Sequence, residues 1–279
     1  MIVPVLFCEL RLAMPTIEEN VRQWNVTRSW PSGGEQWSGA WGNSNAQWYG
    51  CIYPRIQRFV PAPTILELAP GFGRWTRFLL EQCDTYIGVD VSSKCTEACA
   101  ERFSAHTGAS FYTNDGSSLP MVADSSVDFA FSFDSFVHVE ADTLASYLKE
   151  LARVLTPEGA GFIHHSNSGA YERLIRTVAP LQLDRLPRRV RLRLERIGVM
   201  TNVHWRATSV TAARFVESCQ DAGLHCVGQE LVNWGGGIPL IDAMSVVTRP
   251  GSRWDRPNRV VRNWLFRTEA RAIRRSISV

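Results

Sequence analysis

From Thr64 onward the chain alternates short apolar runs with helical patterns, and this rhythm restricts the fold more than any other feature. "TILELA" (64–69), "TYIGVD" (85–90), "SFYTND" (110–115), "SVDFAFSFD" (126–134) and "GAGFIHH" (159–165) read as strands. Between them "GRWTRFLLEQC" (73–83), "SSKCTEACAERFSAH" (92–106) and "ADTLASYLKELARVL" (141–155) read as helices. In the last, Leu144, Tyr147, Leu148, Leu151, Val154 and Leu155 follow the helical period, and Pro157 and Gly159 stop it. A further helix is expected over 209–224, then strands at "HCVGQELVN" and "IDAMSVVTR" joined by "WGGGIPL". Such alternation builds a mostly parallel sheet with helices on both faces. The expected class is α/β and Rossmann-like.

Ligands of open α/β sheets bind outside the carboxyl ends of the strands. "LELAPGFGRWT" follows the first strand, and Gly71 and Gly73 permit positive φ and close backbone approach. Free N–H groups at a helix start add positive potential. A nucleotide is the expected ligand. Position 76 is Thr where the dinucleotide fingerprint has a third glycine, which weakens an NAD-dependent dehydrogenase. Three carboxylates mark strand ends: Glu67 in the first, Asp90 closing the second and Asp115 closing the third in "NDG".

Glu67-x-Ala69-x-Gly71-x-Gly73, Asp90 and Asp115-Gly116 together resemble class I S-adenosylmethionine-dependent methyltransferases over about residues 45–250. The resemblance implies a seven-stranded sheet with the last strand, "IDAMSVVTR", antiparallel. It implies S-adenosylmethionine as cofactor, cradled by the Ala69, Pro70, Gly71 to Gly73 backbone, with Asp90 on the ribose diol. Asp115 would approach the adenine amino group, and Gly116 would let the base lie close. Glu67 and Phe133 are counted among the same cofactor-binding residues. "AWGNSNAQWYG" is similar to a narrower branch that includes sugar and polysaccharide O-methyltransferases, in which an N-terminal segment folds over the cofactor. Gln47 and Trp48 are the residues this implies as cofactor contacts, since an aromatic face suits a sulfonium. The alternative for Trp48, as for Trp24, Trp30, Trp37 and Trp41, is core or lid packing.

At the strand ends, Asp134 tips the fourth strand, His138 follows four residues later, and His164 and His165 end the fifth. Strand neighbours face opposite sides, so one histidine of the pair faces the site. His165, nearer the tip, is the expected one. A hydroxyl acceptor is a poor acid, so a positioned base is valuable, and histidine titrates in the right range. Asp134 could orient a histidine, hold the acceptor hydroxyl or bind a divalent cation such as Mg²⁺. The expected acceptor is a sugar, a glycan (a methylmannose-type polysaccharide, for example) or a glycosylated small molecule. An RNA methyltransferase is the alternative; "FDSF" stands where base-amino methyltransferases usually carry Asn/Asp-Pro-Pro-aromatic. A protein that binds the cofactor without turnover is the third reading.

With 279 residues, three regions are expected: an N-terminal helical segment (1–60) covering the cofactor, the methyltransferase domain (61–250) with a lid at about 168–208, and a basic C-terminal helix or tail (251–279). No apolar run approaches the ~18 residues of a membrane span. Seven cysteines without a CxxC pair suit a reduced, cytoplasmic protein. The net charge of +3 is small for a nucleic-acid binder, but residues 251–279 hold eight arginines against Asp255 and Glu269. That stretch suits a homo-oligomer interface, an anion-binding tail or a solvated basic face.

Overall fold

A computed structural model describes residues 16–27, 30–174, 187, 189–190, 206–234 and 238–277. The strands are β1 (Thr64–Leu68), β2 (Thr85–Asp90), β3 (Ala109–Thr113), β4 (Val127–Phe136), β5 (Leu155–Ser166), β6 (His225–Val232), β7 (Asp242–Thr248) and β8 (Arg259–Asn263). They form one sheet in the order β3-β2-β1-β4-β5-β7-β6-β8. β1 to β5 pair in parallel, β7 is antiparallel to both β5 and β6, and β8 is parallel to β6. The reversed strand is therefore the expected "IDAMSVVTR".

The sheet has eight strands rather than seven. β8 lies in the C-terminal stretch expected to be helix or tail. Its "RVVRN" is exposed along nearly its whole length and shows no apolar alternation. It becomes a strand because its backbone pairs with the outer edge of β6, Gly228 to Val232. That pairing is tertiary and leaves no mark in local pattern.

The described helices are α1 (Ile17–Arg22), α2 (Ser44–Gln47), α3 (Tyr53–Ile56), α4 (Thr76–Leu79), α5 (Ser93–Arg102), α6 (Ala141–Val154), α7 (Ala212–Asp221) and α8 (Phe266–Ser276). A wider turn, Trp48–Ile52, joins α2 to α3, and Pro54 sits in the first turn of α3, where its missing N–H costs nothing. α4 is shorter than the expected 73–83, because Gly71 and Gly73 at φ +59° and +79° delay the helix to Thr76. Ser92 caps α5, its Oγ accepting from the Cys95 N–H.

Alternation along the strands sorts side chains to two faces. Ile65, Phe129, Phe131, Phe133 and Phe162 face one apolar layer with Trp48, Trp75, Phe78 and the α8 residues Phe266 and Ala270. Leu66, Ala130, Ile163 and Val247 face the other, under α6 and α7. Most of the expected lid at 168–208, and residues 1–15, lie outside the described residues. Among the described residues no helix is long and apolar enough to cross a membrane.

Candidate active site

The turn after β1 is built on three positive φ angles: Ala69 at +59°, Gly71 at +59° and Gly73 at +79°. Ala69 pays a steric cost there that glycine does not. It is held by its N–H to Val89 O at 2.7 Å and by Ser135 Oγ, which donates to its carbonyl at 3.2 Å. Gly73 is needed for packing too: a Cβ there would stand 2.4 Å from the Phe103 ring. The buried Asp90 carboxylate clamps the turn, accepting from Gly71 N–H at 3.0 Å and Ser92 N–H at 2.9 Å. Burial pushes the Asp90 carboxyl up to about 6, against those N–H donors. Glu67 is sealed below the turn, accepting from Tyr86 and from Thr76 Oγ1 at 2.7 Å. Burial pushes it up to about 7 although both hydroxyls oppose this.

Asp134, beside this turn at the end of β4, is the second strained point, at φ +67°. A bulge between Ser132 and Phe136 lets the strand adopt it. Its N–H donates to His164 Nδ1 at 3.1 Å, and Arg74 donates to its Oδ2 at 2.9 Å. Arg74 comes from the glycine turn itself, so the turn and the strand tip are tied together.

His164 and His165 do face opposite ways, and their expected orientation is reversed. His164 continues the Phe162 row, its ring packed on Phe133 at 4.7 Å and Trp234 at 4.9 Å. Since Nδ1 accepts, Nε2 carries the proton. It lies 3.3 Å from Asp242 Oδ2, off the angle of a hydrogen bond. Asp242 in turn takes a two-bond fork from Arg206, at 3.0 and 2.9 Å. Against the desolvation that would raise it, Arg206 and His164 hold the Asp242 carboxyl well below the usual carboxylate range. His165 continues the Ile163 row and stacks flat on Phe215 of α7 at 3.9 Å. It donates from Nδ1 to Ser166 O and accepts at Nε2 from Ser245 Oγ, both at 2.8 Å. Burial lowers its pKa to about 3, so it stays neutral. His138 lies beyond the tip, its ring 6.4 Å from Trp24.

The aromatic surface at this edge comes from residues other than Trp48. Trp30 stacks on Phe72 of the glycine turn at 4.6 Å and meets Trp37 at 5.0 Å and Trp24 at 5.5 Å. Trp37 also lies under the Arg74 guanidinium, 5.5 Å from its centre. A Cβ on Gly71 would sit 3.0 Å from Trp30, and one on Gly116 2.8 Å from Ile17 of α1. Asn25 accepts from Ser92 Oγ and fastens the same segment to α5. Trp48 instead stacks on Phe78 at 4.8 Å inside the core. Gln47 is fully buried, and both its amide atoms lack a partner among the described residues. Asp115 turns onto its own loop, accepting from Ser117 N–H and Ser118 N–H at 2.8 and 2.7 Å. Its carboxyl is lowered, mainly by the Ser118 hydroxyl.

Sequence reading missed Arg74, Arg206, Asp242 and Trp234, and gave Trp30 and Trp37 only as core or lid packing. Arg74 was visible as the residue directly after the glycines. The others had no local signal, because β7, the 206–211 return and the N-terminal segment meet the strand tips only in three dimensions. For a cation, the donor set does not fit: Asp134 is engaged by Arg74, and among the described residues no group of three or more His, Cys, Asp or Glu is placed to hold a metal.

Residues 65–159 match the family model described as a methyltransferase domain. Between 71% and 81% of the chain resembles each of three solved structures. A chain from the Haloferax volcanii complex of the Trm112 methyltransferase activator with a methyltransferase is 18% identical over 81% of this chain and 99% of that one, at a TM-score of 0.52. An S-adenosylmethionine-dependent methyltransferase from Clostridium acetobutylicum is 14% identical over 77% and 92%, at 0.53. One from Methanosarcina mazei is 18% identical over 71% and 98%, at 0.52. A search of curated proteins found no match. The fold is that of the S-adenosylmethionine-dependent methyltransferases, and the matched domain carries the glycine turn, Asp90, Asp115 and Asp134.

Proposed function

We propose that the protein is an S-adenosylmethionine-dependent methyltransferase acting on a hydroxyl of a sugar, a glycan or a glycosylated small molecule. The observation that carries this reading is Asp134, held at positive φ by His164 and Arg74 directly beside the glycine turn. Strained residues persist where surrounding bonds over-determine them, and they cluster at reacting sites.

The residues present fit the cofactor. The Ala69–Gly73 turn carries three positive-φ positions beside Asp90, a buried carboxylate with lone pairs left for a diol. Trp24, Trp30 and Trp37 supply aromatic faces for a sulfonium or a sugar ring. Gln47, with its orphaned amide, is a further polar contact for the ligand. When bound, S-adenosylmethionine supplies an electrophilic methyl group. An acceptor hydroxyl methylated there would have to lose its proton. Asp134 Oδ1, which has no partner among the described residues, accepts that hydroxyl's hydrogen bond and takes the proton. Arg74 and His164 fix the carboxylate and its backbone so that little reorganisation accompanies transfer. Ile17 and Trp30 cover the seats at Gly116 and Gly71, so the N-terminal segment is the cover of the cofactor cleft.

The test is transfer of labelled methyl from S-adenosylmethionine to mono- and oligosaccharides by the full chain and by Asp134→Ala. Labelled sugar with the former and none with the latter is expected. Cofactor binding by calorimetry with no transfer to any sugar would overturn the acceptor class, and no cofactor binding would overturn the activity.

A further inference from the structure

The C-terminal segment carries a surface that the methyl-transfer reading does not use. Its amphipathic helix α8 buries Phe266 and Ala270 and half-buries Ile273 against the α2–α3 region, where Ile273 meets Gly50. On its outer side Arg271 and Arg275 lie one turn apart, both exposed. Arg259 and Arg262 extend the charge along β8. The side chains of Arg259, Arg262, Arg271 and Arg275 are exposed and have no partner among the described residues. The two carboxylates of the segment are already committed. Glu269 binds Asn263 at 3.2 Å, and Asp255 binds His225 at 2.8 Å.

Between strand and helix, Trp264 and Leu265 protrude, 50% and 64% exposed, beside the exposed Val260 and Val261. This tip is rigid. Asn233 donates to Trp264 O at 2.7 Å and accepts from Arg267 N–H at 3.3 Å. Because β8 runs parallel to β6, and β6 runs with β5, the tip stands at the carboxyl edge of the sheet, where Asp90, Asp134 and His164 lie. Phe266, at the start of α8, packs on Trp234, which packs on His164.

We infer that this face docks on an anionic lipid bilayer, with Trp264 and Leu265 entering the headgroup–acyl boundary and the free arginines on the phosphates. Unpaired basic charge together with an aromatic and aliphatic wedge is the combination such a surface selects. A nucleic-acid partner would use the arginines but would leave Leu265 without an apolar counterpart. Docking this way turns the carboxyl edge of the sheet toward the membrane. The inference stands on this surface alone, whether or not the site transfers methyl groups.

The experiment is co-sedimentation of the full chain with vesicles of phosphatidylcholine alone and of phosphatidylcholine mixed with phosphatidylglycerol. Binding to the mixed vesicles only, falling with added salt, is expected. Two independent variant pairs, Trp264→Ser/Leu265→Ser and Arg271→Glu/Arg275→Glu, change exposed side chains and should each weaken it at least about tenfold. No binding to the mixed vesicles, or binding that neither pair alters, overturns the inference. Arginine-dependent binding to single-stranded RNA without vesicle binding overturns it in favour of a nucleic-acid surface.

Discussion

The backbone N–H of Asp134 donates to Nδ1 of His164 at 3.1 Å, so a fully buried imidazole sets the backbone of a strand-tip carboxylate. The bond crosses from β5 to β4 where their register slips, between Ser132 and Phe136. Through His164 the strand tip also reaches Asp242 and Arg206.

Replacing His164 by Ala removes that acceptor and leaves the Asp134 N–H unpaired. We expect turnover to fall at least about tenfold while cofactor affinity stays within about twofold, since the glycine turn is untouched. Stability should fall by roughly 2–4 kcal/mol, from a lost buried ring and a disturbed Asp242–Arg206 pair. His165→Asn is the contrast: stability drops, and turnover per folded molecule does not. Steady-state kinetics with calorimetric cofactor titration separates the two histidines.

Asp134→Gly relieves the φ of +67° and removes the carboxylate together. Both Asp134→Gly and Asp134→Ala lose the pair with Arg74, so urea unfolding should show the glycine variant the more stable of the two by about 1 kcal/mol, with turnover abolished in both. Asp134→Asn keeps the strain and removes the base, so it should lose turnover without gaining stability. A glycine variant no more stable than the alanine one would show that the residue is not strained.

Glu67 fixes a pH dependence. Its folded pKa, about 7, lies above the unfolded value near 4.5, so folding favours the protonated form. The stability it contributes is fully present below the unfolded pKa and is lost as pH rises through about 7. Glu67→Gln cannot titrate. Its stability relative to the parent should therefore improve between pH 4 and pH 8, by up to about 3 kcal/mol at 1.36 kcal/mol per unit. Chemical denaturation across that range measures it, and a constant difference would place the proton elsewhere.

Ile17 fills the space above Gly116. On the proposed reading the base would lie there only after α1 moves, and the cost of that opening would reduce the apparent affinity. Ile17→Gly should tighten S-adenosylmethionine binding severalfold, the direction opposite to losing a ligand contact. Weaker binding would show that Ile17 touches the cofactor rather than blocks it. Calorimetric titration reads the sign directly.

The strand–helix rhythm from Thr64 to Thr248, the positions of Gly71 and Gly73 and the acidic strand ends at Asp90 and Asp134 were all legible in the residues. Each is a short-range property: period two or 3.6, or a backbone conformation that glycine makes cheap. β8 was not legible, because its only reason to be a strand is the edge of β6, reached after the chain has turned back on itself. Nor could alternation choose between His164 and His165. The choice came from which face holds Phe131, Phe133 and Phe162 and which lies under α7, a property of the packed layers. Trp48 and Trp30 differ for the same reason: both are tryptophans in one polar N-terminal segment, and only packing sends one into the core and the other over Gly71. Local pattern thus determined the sheet and the place of its ligand edge. Long-range contacts, whose partners lie many residues apart, decided which side chains stand there.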